Sequence, residues 1–173
     1  MKAPARRPQS APRRLTHLDT RGRARMVDVG GKPATAREAV AAGAIRMNAL
    51  AYAAIRRGTI PKGDVMALAR VAGIGAAKKT SDLIPLCHAI PLDHVRVEIE
   101  WNDDAREVHV EATARTRWST GVEMEALVAA TMALLTIYDM AKGIDRAMTI
   151  GPIRLLRKSG GRSGPFERPR ELR

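Results

Sequence analysis

Four short runs of the chain carry side chains able to move protons or hold phosphate. In Ile60-Pro61-Lys62-Gly63-Asp64-Val65 a helix is about to begin. Unpaired backbone N–H groups at a helix start favour anions, so Lys62 there can contact a phosphate; the plain alternative is a solvated lysine beside a turn. The second run is Ala77 to His88, ending Leu83-Ile84-Pro85-Leu86-Cys87-His88. Neighbours on extended backbone point to opposite faces, so Cys87 and His88 do not readily share a metal, and the other histidines follow no ligand spacing. No metal site is expected. His88 is either a proton-transfer or phosphate-binding group or a satisfied core histidine. In Gly121-Val122-Glu123-Met124-Glu125 the two carboxylates diverge if the run is helical and point the same way if it is extended. Glu123 reads as a capping residue, which leaves Glu125 for binding or acid–base work, or as ordinary negative charge near a helix start. In Tyr138-Asp139-Met140-Ala141-Lys142, Asp139 and Lys142 are three apart on one helix face and can pair. That pair is either a surface ion bridge or two groups that set each other's protonation.

A fifth run, Lys158-Ser159-Gly160-Gly161-Arg162-Ser163-Gly164, looks like a phosphate loop but lacks the order G-x-x-x-x-G-K-[ST]. It reads as a mobile basic loop.

These groups need a scaffold. Ala24 to Val29 reads as a short strand ending at Gly30-Gly31-Lys32-Pro33. Thr35 with Glu38 reads as a capping box. Behind it Val40, Ala44, Met47, Leu50, Ala54 and Ile55 recur at helical spacing up to Gly58. A second helix starts near Gly63 or Asp64 and buries Val65, Leu68, Ala69 and Ala72. In Asp93–Trp101 and again around Val108–Ala112 apolar and polar residues alternate across the turn Asn102-Asp103-Asp104, the pattern of a hairpin with one wet face. Thr120 and Glu123 read as the cap of a helix that runs to about Lys142 and is apolar around most of its circumference. Ile150 to Leu156 is a last strand, interrupted by Gly151-Pro152. Strand, two helices, two strands, helix, strand is the split β-α-β plan: an α+β, ferredoxin-like antiparallel sheet with helices packed on one face.

A length of 173 residues suits one domain with tails. Residues 1–14, Pro- and Arg-rich, read as a disordered tail; 15–157 form a single catalytic domain; 158–173 form a basic loop and tail. Apolar residues are 45% of the chain and aromatic ones only 3%, so the core is aliphatic. One cysteine points to a reducing, cytoplasmic setting, and no apolar run approaches the ~18 residues of a membrane span. Each tail holds a surplus of five positive charges, so residues 15–153 keep only +2 of the total +12. Without a basic stripe on the folded body, nucleic-acid binding is not expected.

Taken together the runs resemble one family. Lys62-Gly63-Asp64-Val65, Asp82 to His88, Thr120 to Leu127, Leu135-Thr136-Ile137-Tyr138-Asp139-Met140 and Lys158-Ser159-Gly160-Gly161 are similar, in order and separation, to the cyclic pyranopterin monophosphate synthase family, also called molybdenum cofactor biosynthesis protein C. Leu15-Thr16-His17 and Met26-Val27-Asp28-Val29 fit too, so the resemblance spans about residues 15 to 166. Ala141 departs from relatives that have cysteine there. The resemblance implies a homohexamer, a trimer of dimers, acting on a small molecule, 3′,8-cyclo-7,8-dihydroguanosine triphosphate, without a redox cofactor. It implies that the purine's five-membered ring is opened and rebuilt as a pterin, and that a cyclic phosphate closes with loss of diphosphate. Leu86, Cys87, His88, Met124 and Glu125, with Glu123 beside them, fall on substrate-binding positions. Asp139 falls on the active-site aspartate; Lys62, Lys78 and Lys142 match catalytic or phosphate-contacting lysines, and Arg37 is a further carry-over. Two rival readings are a metal-dependent phosphohydrolase using Glu123, Glu125, His88 and Asp139, and a silent nucleotide-binding scaffold.

Overall fold

The computed structural model describes residues 21–169; the basic tail 1–14, the Leu15-Thr16-His17 run and residues 170–173 lie outside them. The elements in chain order are β1 (Thr35–Arg46), α1 (Ala49–Arg56), α2 (Val65–Ala77), the single turn α3 (Thr80–Leu83), β2 (His94–Asn102), β3 (Glu107–Trp118), α4 (Glu123–Ala141), β4 (Thr149–Ile150), β5 (Arg154–Ser159) and β6 (Phe166–Glu167). The strands form one antiparallel sheet in the order β2-β3-β1-β5-β6, with β4 beside the end of β1. The fold is α+β, as the order of elements implied.

The largest difference from the sequence reading is β1. Thr35 to Arg46 pairs residue by residue with β3, from Thr35 opposite Trp118 to Arg46 opposite Glu107, and with β5 on its other side. The alanines that mimic a helix instead occupy a central strand, because two neighbouring strands satisfy its backbone and override propensity. Small residues suit the place. A Cβ on Gly43 would sit 2.8 Å from Leu134 Cδ1 and 3.0 Å from Ile153 Cγ1, so α4 packs almost onto the β1 backbone. Thr35 caps nothing, and Glu38 instead pairs with Arg115 and Arg157. The real helix of this region, α1, is capped by Asn48, whose side chain accepts from Ala51 N–H. Leu50, placed in the core by helical spacing, is 73% exposed. Ala24–Val29 is not a strand; only Ala24 makes an isolated bridge.

The second helix forms where expected, with Asp64 as its cap accepting from Met66 and Ala67 N–H. Its buried face carries Val65, Ala69, Gly73, Ala76 and Ala77, while Leu68 points out. Gly73 allows the close approach of α2 to α4: a Cβ there would be 2.8 Å from the Ala129 carbonyl and 3.1 Å from Val97 Cγ2. The hairpin β2–β3 matches its alternation, with Val97, Val108, Val110, Ala112 and Ala114 buried under the helices. Glu98, His109, Glu111 and Arg115 share the opposite face, which leaves α2 and α4 together on one side of the sheet. The strand near Ile150–Leu156 is split into β4 and β5 around a cis Gly151–Pro152 bond. The segment after 157, read as loop and tail, contributes Lys158 and Ser159 to β5 and Phe166–Glu167 to β6.

Helix α4 is nineteen residues long and, with a mean hydropathy of 1.4 over its best window, is apolar enough by composition to cross a membrane. The sequence reading missed this because acids at both ends interrupt the run. Half of that window is buried within the protein, and Ala126, Ala129, Ala130, Ala133, Leu134 and Ile137 are fully enclosed. No other helix among the described residues passes the same test.

Candidate active site

At the C-terminal end of α4 a carboxylate sits between two ammonium groups. Lys142 Nζ is 2.7 Å from Asp139 Oδ1, and Lys62 Nζ is 3.2 Å from Oδ2 and donates to the Asp139 carbonyl oxygen at 2.8 Å. The i, i+3 spacing brings Lys142 to Asp139. Lys62 arrives from 77 positions away because the Ile60–Gly63 turn, closed by Gly63 N–H to the Ile60 carbonyl, aims it across the helix end. Gly63 makes that turn possible with φ of 104°. Hydrogen bonds from Lys142 and Lys62 hold the Asp139 carboxyl below its ordinary pKa, so it is ionised at neutral pH. All three side chains are about half exposed, open to a ligand. Just beyond, buried Asp145 accepts from Asn48 and Ala147 N–H and fastens the exit of α4 to the joint between β1 and α1.

At the other end of α4 lies a cavity of about 390 Å³ whose lining includes Leu86, Cys87, His88, Thr120, Gly121, Glu123, Met124 and Glu125, together with Val27 and Lys32. The one-turn α3 delivers Leu86–His88 to this end from the tip of α2. Neither Thr120 nor Glu123 caps α4: Val122 occupies the cap position without a side-chain bond. Thr120 instead lines the cavity, and the Glu123 carboxylate folds back over Gly121, where any side chain would collide with it. Glu125 is 4% exposed, and burial pushes its carboxyl up to about 7, aided by the charge of Glu123. Burial also raises the Cys87 thiol, and the nearby Glu125 raises it further, so Cys87 is a neutral thiol here. His88 Nε2 donates to the Val27 carbonyl at 2.7 Å, which fixes the proton on that nitrogen and leaves Nδ1 as the ring's other position.

Arg37 lies at the same end, on the helix-covered side of β1. Its Nη2 reaches the Ser119 carbonyl at 3.5 Å, while among the described residues its Nε and the Thr35 hydroxyl are buried without a hydrogen-bond partner. Gly160 and Gly161, both at positive φ, lie against the Arg37 side chain, Gly160 at its Cδ and Gly161 at the guanidinium, which any side chain at Gly161 would displace. Lys158 Nζ donates to Ser163 Oγ across the same loop.

The structure therefore splits the sequence candidates into two groups. Leu86, Cys87, His88, Glu123, Met124 and Glu125 come together at one end of α4, and Lys62, Asp139 and Lys142 at the other. Lys78 is the exposed C-cap of α2 and does not line the Glu125 cavity. The four ligands of the phosphohydrolase alternative do not converge, because Asp139 is on the far end from His88, Glu123 and Glu125; among the described residues no three His, Cys, Asp or Glu side chains form a metal-binding group. Sequence reasoning missed Lys32, read only as part of a turn. It lines both the Glu125 cavity and a second one beside it, and no spacing in the sequence announces that.

A model of the MoaC family matches residues 26–161. The cyclic pyranopterin monophosphate synthase of Roseiflexus sp. (strain RS-1) is 60% identical over 152 residues, 88% of this chain and 96% of that protein. That of Chloroflexus aurantiacus (strain ATCC 29366 / DSM 635 / J-10-fl) is 56% identical over 156 residues, covering 90% and 96%. That of Brucella ovis is 57% identical over 153 residues, covering 88% and 93%. The matched span takes in both ends of α4 and every candidate residue named above, and the chain belongs to the MoaC family.

Proposed function

We propose that this protein is a cyclic pyranopterin monophosphate synthase. It converts (8S)-3′,8-cyclo-7,8-dihydroguanosine 5′-triphosphate to cyclic pyranopterin monophosphate and diphosphate, in the cytoplasm, as a step of molybdenum cofactor biosynthesis. The observation that carries the reading is Asp139 held between Lys62 and Lys142. Opening the purine ring requires protons to be taken and given at several atoms, and a coupled carboxylate–ammonium set at an exposed helix end suits that work. Glu125, titrating near neutrality, can give a proton as well as accept one. Losing diphosphate needs cations on the departing oxygens, and the buried, unpartnered Nε of Arg37 beside the glycine loop supports a role there. The chemistry calls for no redox cofactor.

The two groups of residues are too far apart to touch one reacting centre within a single chain. Glu125 and Asp139 are fourteen positions apart on α4, about 21 Å along its axis. Two copies packed antiparallel through the helix layer place one end of each beside the opposite end of the other, so His88 and Glu125 of one copy share a site with Asp139, Lys142 and Lys62 of its partner. Leu68, Val71 and Leu135, left exposed on α2 and α4, support such a contact. Three such dimers make the hexamer, and the strand order with its helical crossovers supports a ferredoxin-like subunit. Incubation with the cyclised nucleotide tests the reading. Pterin and diphosphate appear together while GTP is left intact; release of diphosphate from GTP at a comparable rate contradicts it.

A further inference from the structure

Trp118 is a large aromatic residue that the fold leaves uncovered on its core side. It closes β3 opposite Thr35, in the same alternation as the buried Ala112, Ala114 and Thr116, so it belongs to the face that α4 covers. The helix starts only at Glu123, beyond the end of the strand, and the indole stays 39% exposed. It lines a cavity of about 530 Å³ together with Met26, Ala34 and Ala89, and with Lys32 and His88. Lys32 and His88 also line the Glu125 cavity, so the two spaces adjoin across them. An apolar, aromatic wall beside a lysine and a histidine matches a flat heterocycle that carries negative charge on one side. The other tryptophan is spoken for: Trp101 meets the Tyr52 ring edge-on at 5.2 Å and takes Arg56 over its face at 4.8 Å.

We propose that Trp118 is a substrate-contacting residue whose indole stacks on the fused ring system of the nucleotide, in the cavity it shares with Lys32 and His88. This rests on the synthase reading for the identity of the nucleotide, though not for the stacking. The ring is held by area and π contact, while phosphate is held by the cations around it. Stacking of this kind discriminates for a fused ring without reading its hydrogen-bonding edge.

The full-length Trp101→Phe protein makes Trp118 the sole tryptophan reporter. Titrated with GTP it shows a saturable quench of fluorescence, whereas inorganic triphosphate gives none. In the otherwise wild-type protein Trp118→Ala weakens GTP binding about tenfold or more and leaves inorganic triphosphate binding unchanged. Trp118→Phe keeps most of the GTP affinity. With the cyclised nucleotide the alanine variant raises KM by a similar factor and changes kcat little. Equal quenching by the two probes, or none by GTP, overturns the proposal. So does an alanine variant that keeps its GTP affinity and instead changes its mass in solution, which makes Trp118 a subunit contact. If the GTP-specific quench is present but the wild-type protein makes no pterin from the cyclised nucleotide, the stacking stands and the synthase reading falls.

Discussion

Glu125 and Asp139 stand on the same side of one helix near opposite ends: fourteen steps of about 100° bring them to within ~40° around the axis while separating them by about 21 Å along it. One is buried and titrates near neutrality; the other is exposed and ionised. If both serve one reaction, they serve it from different chains. Separately inactive Glu125→Gln and Asp139→Asn proteins, dissociated and reassembled together, then recover about a quarter of wild-type turnover, since half of random dimers are mixed and each mixed dimer has one intact site of two. Mixed oligomers verified by mass and still inactive would rule out the shared site.

Lys62→Ala and Lys142→Ala each remove most turnover, because each deletes one of the two cations on Asp139. Thermal unfolding stays essentially where it was, since both pairs are solvent-exposed and screened. In either variant the Asp139 carboxyl moves back toward its ordinary pKa, which carbon-detected NMR titration reads directly. Near-normal turnover in either variant removes that lysine from the chemistry.

Glu125 makes stability depend on pH. Its folded pKa, about 7, lies above its unfolded value of 4.5, so the folded state holds the proton more tightly. The contribution is fully present below about pH 4.5 and is lost as pH rises through 7, amounting to roughly 2–3 kcal/mol across that window. Glu125→Gln, a permanent mimic of the neutral acid, flattens this slope and is more stable than the wild type at pH 8.5. Urea midpoints at pH 5 and 8.5 measure it; identical slopes in the two proteins mean that Glu125 does not titrate in this range.

Two glycine substitutions have opposite signs. Gly43→Ala pushes a methyl into Leu134 and Ile153 and costs about 1–3 kcal/mol. Gly75→Ala, on α2 with nothing within 4 Å of the new methyl, gains about 0.5–1 kcal/mol from helix propensity. Chemical denaturation distinguishes them, and a neutral Gly43→Ala means that α4 does not press on β1.

The chain alone determines a good deal. Period-two alternation marks β2 and β3, the helix start near Gly63 or Asp64 marks α2, and the apolar circumference marks α4, because local pattern and final environment agree in those segments. Short motifs bring out Leu86–His88, Met124–Glu125, Asp139 and Lys142, whose neighbours in sequence are also neighbours in space. Only the tertiary structure decides the rest. An alanine-rich run has the composition of a helix, and it became β1 because β3 and β5 supply partners for both of its edges and α4 needs small residues beneath it. Capping patterns at Thr35 and Thr120 went unused once a strand and a cavity claimed those residues. Lys62 meets Asp139, Arg37 meets the Gly160–Gly161 turn, and Lys32 borders two cavities through contacts between segments far apart in the chain. No local spacing encodes such contacts, since chain folding rather than periodicity brings them within reach.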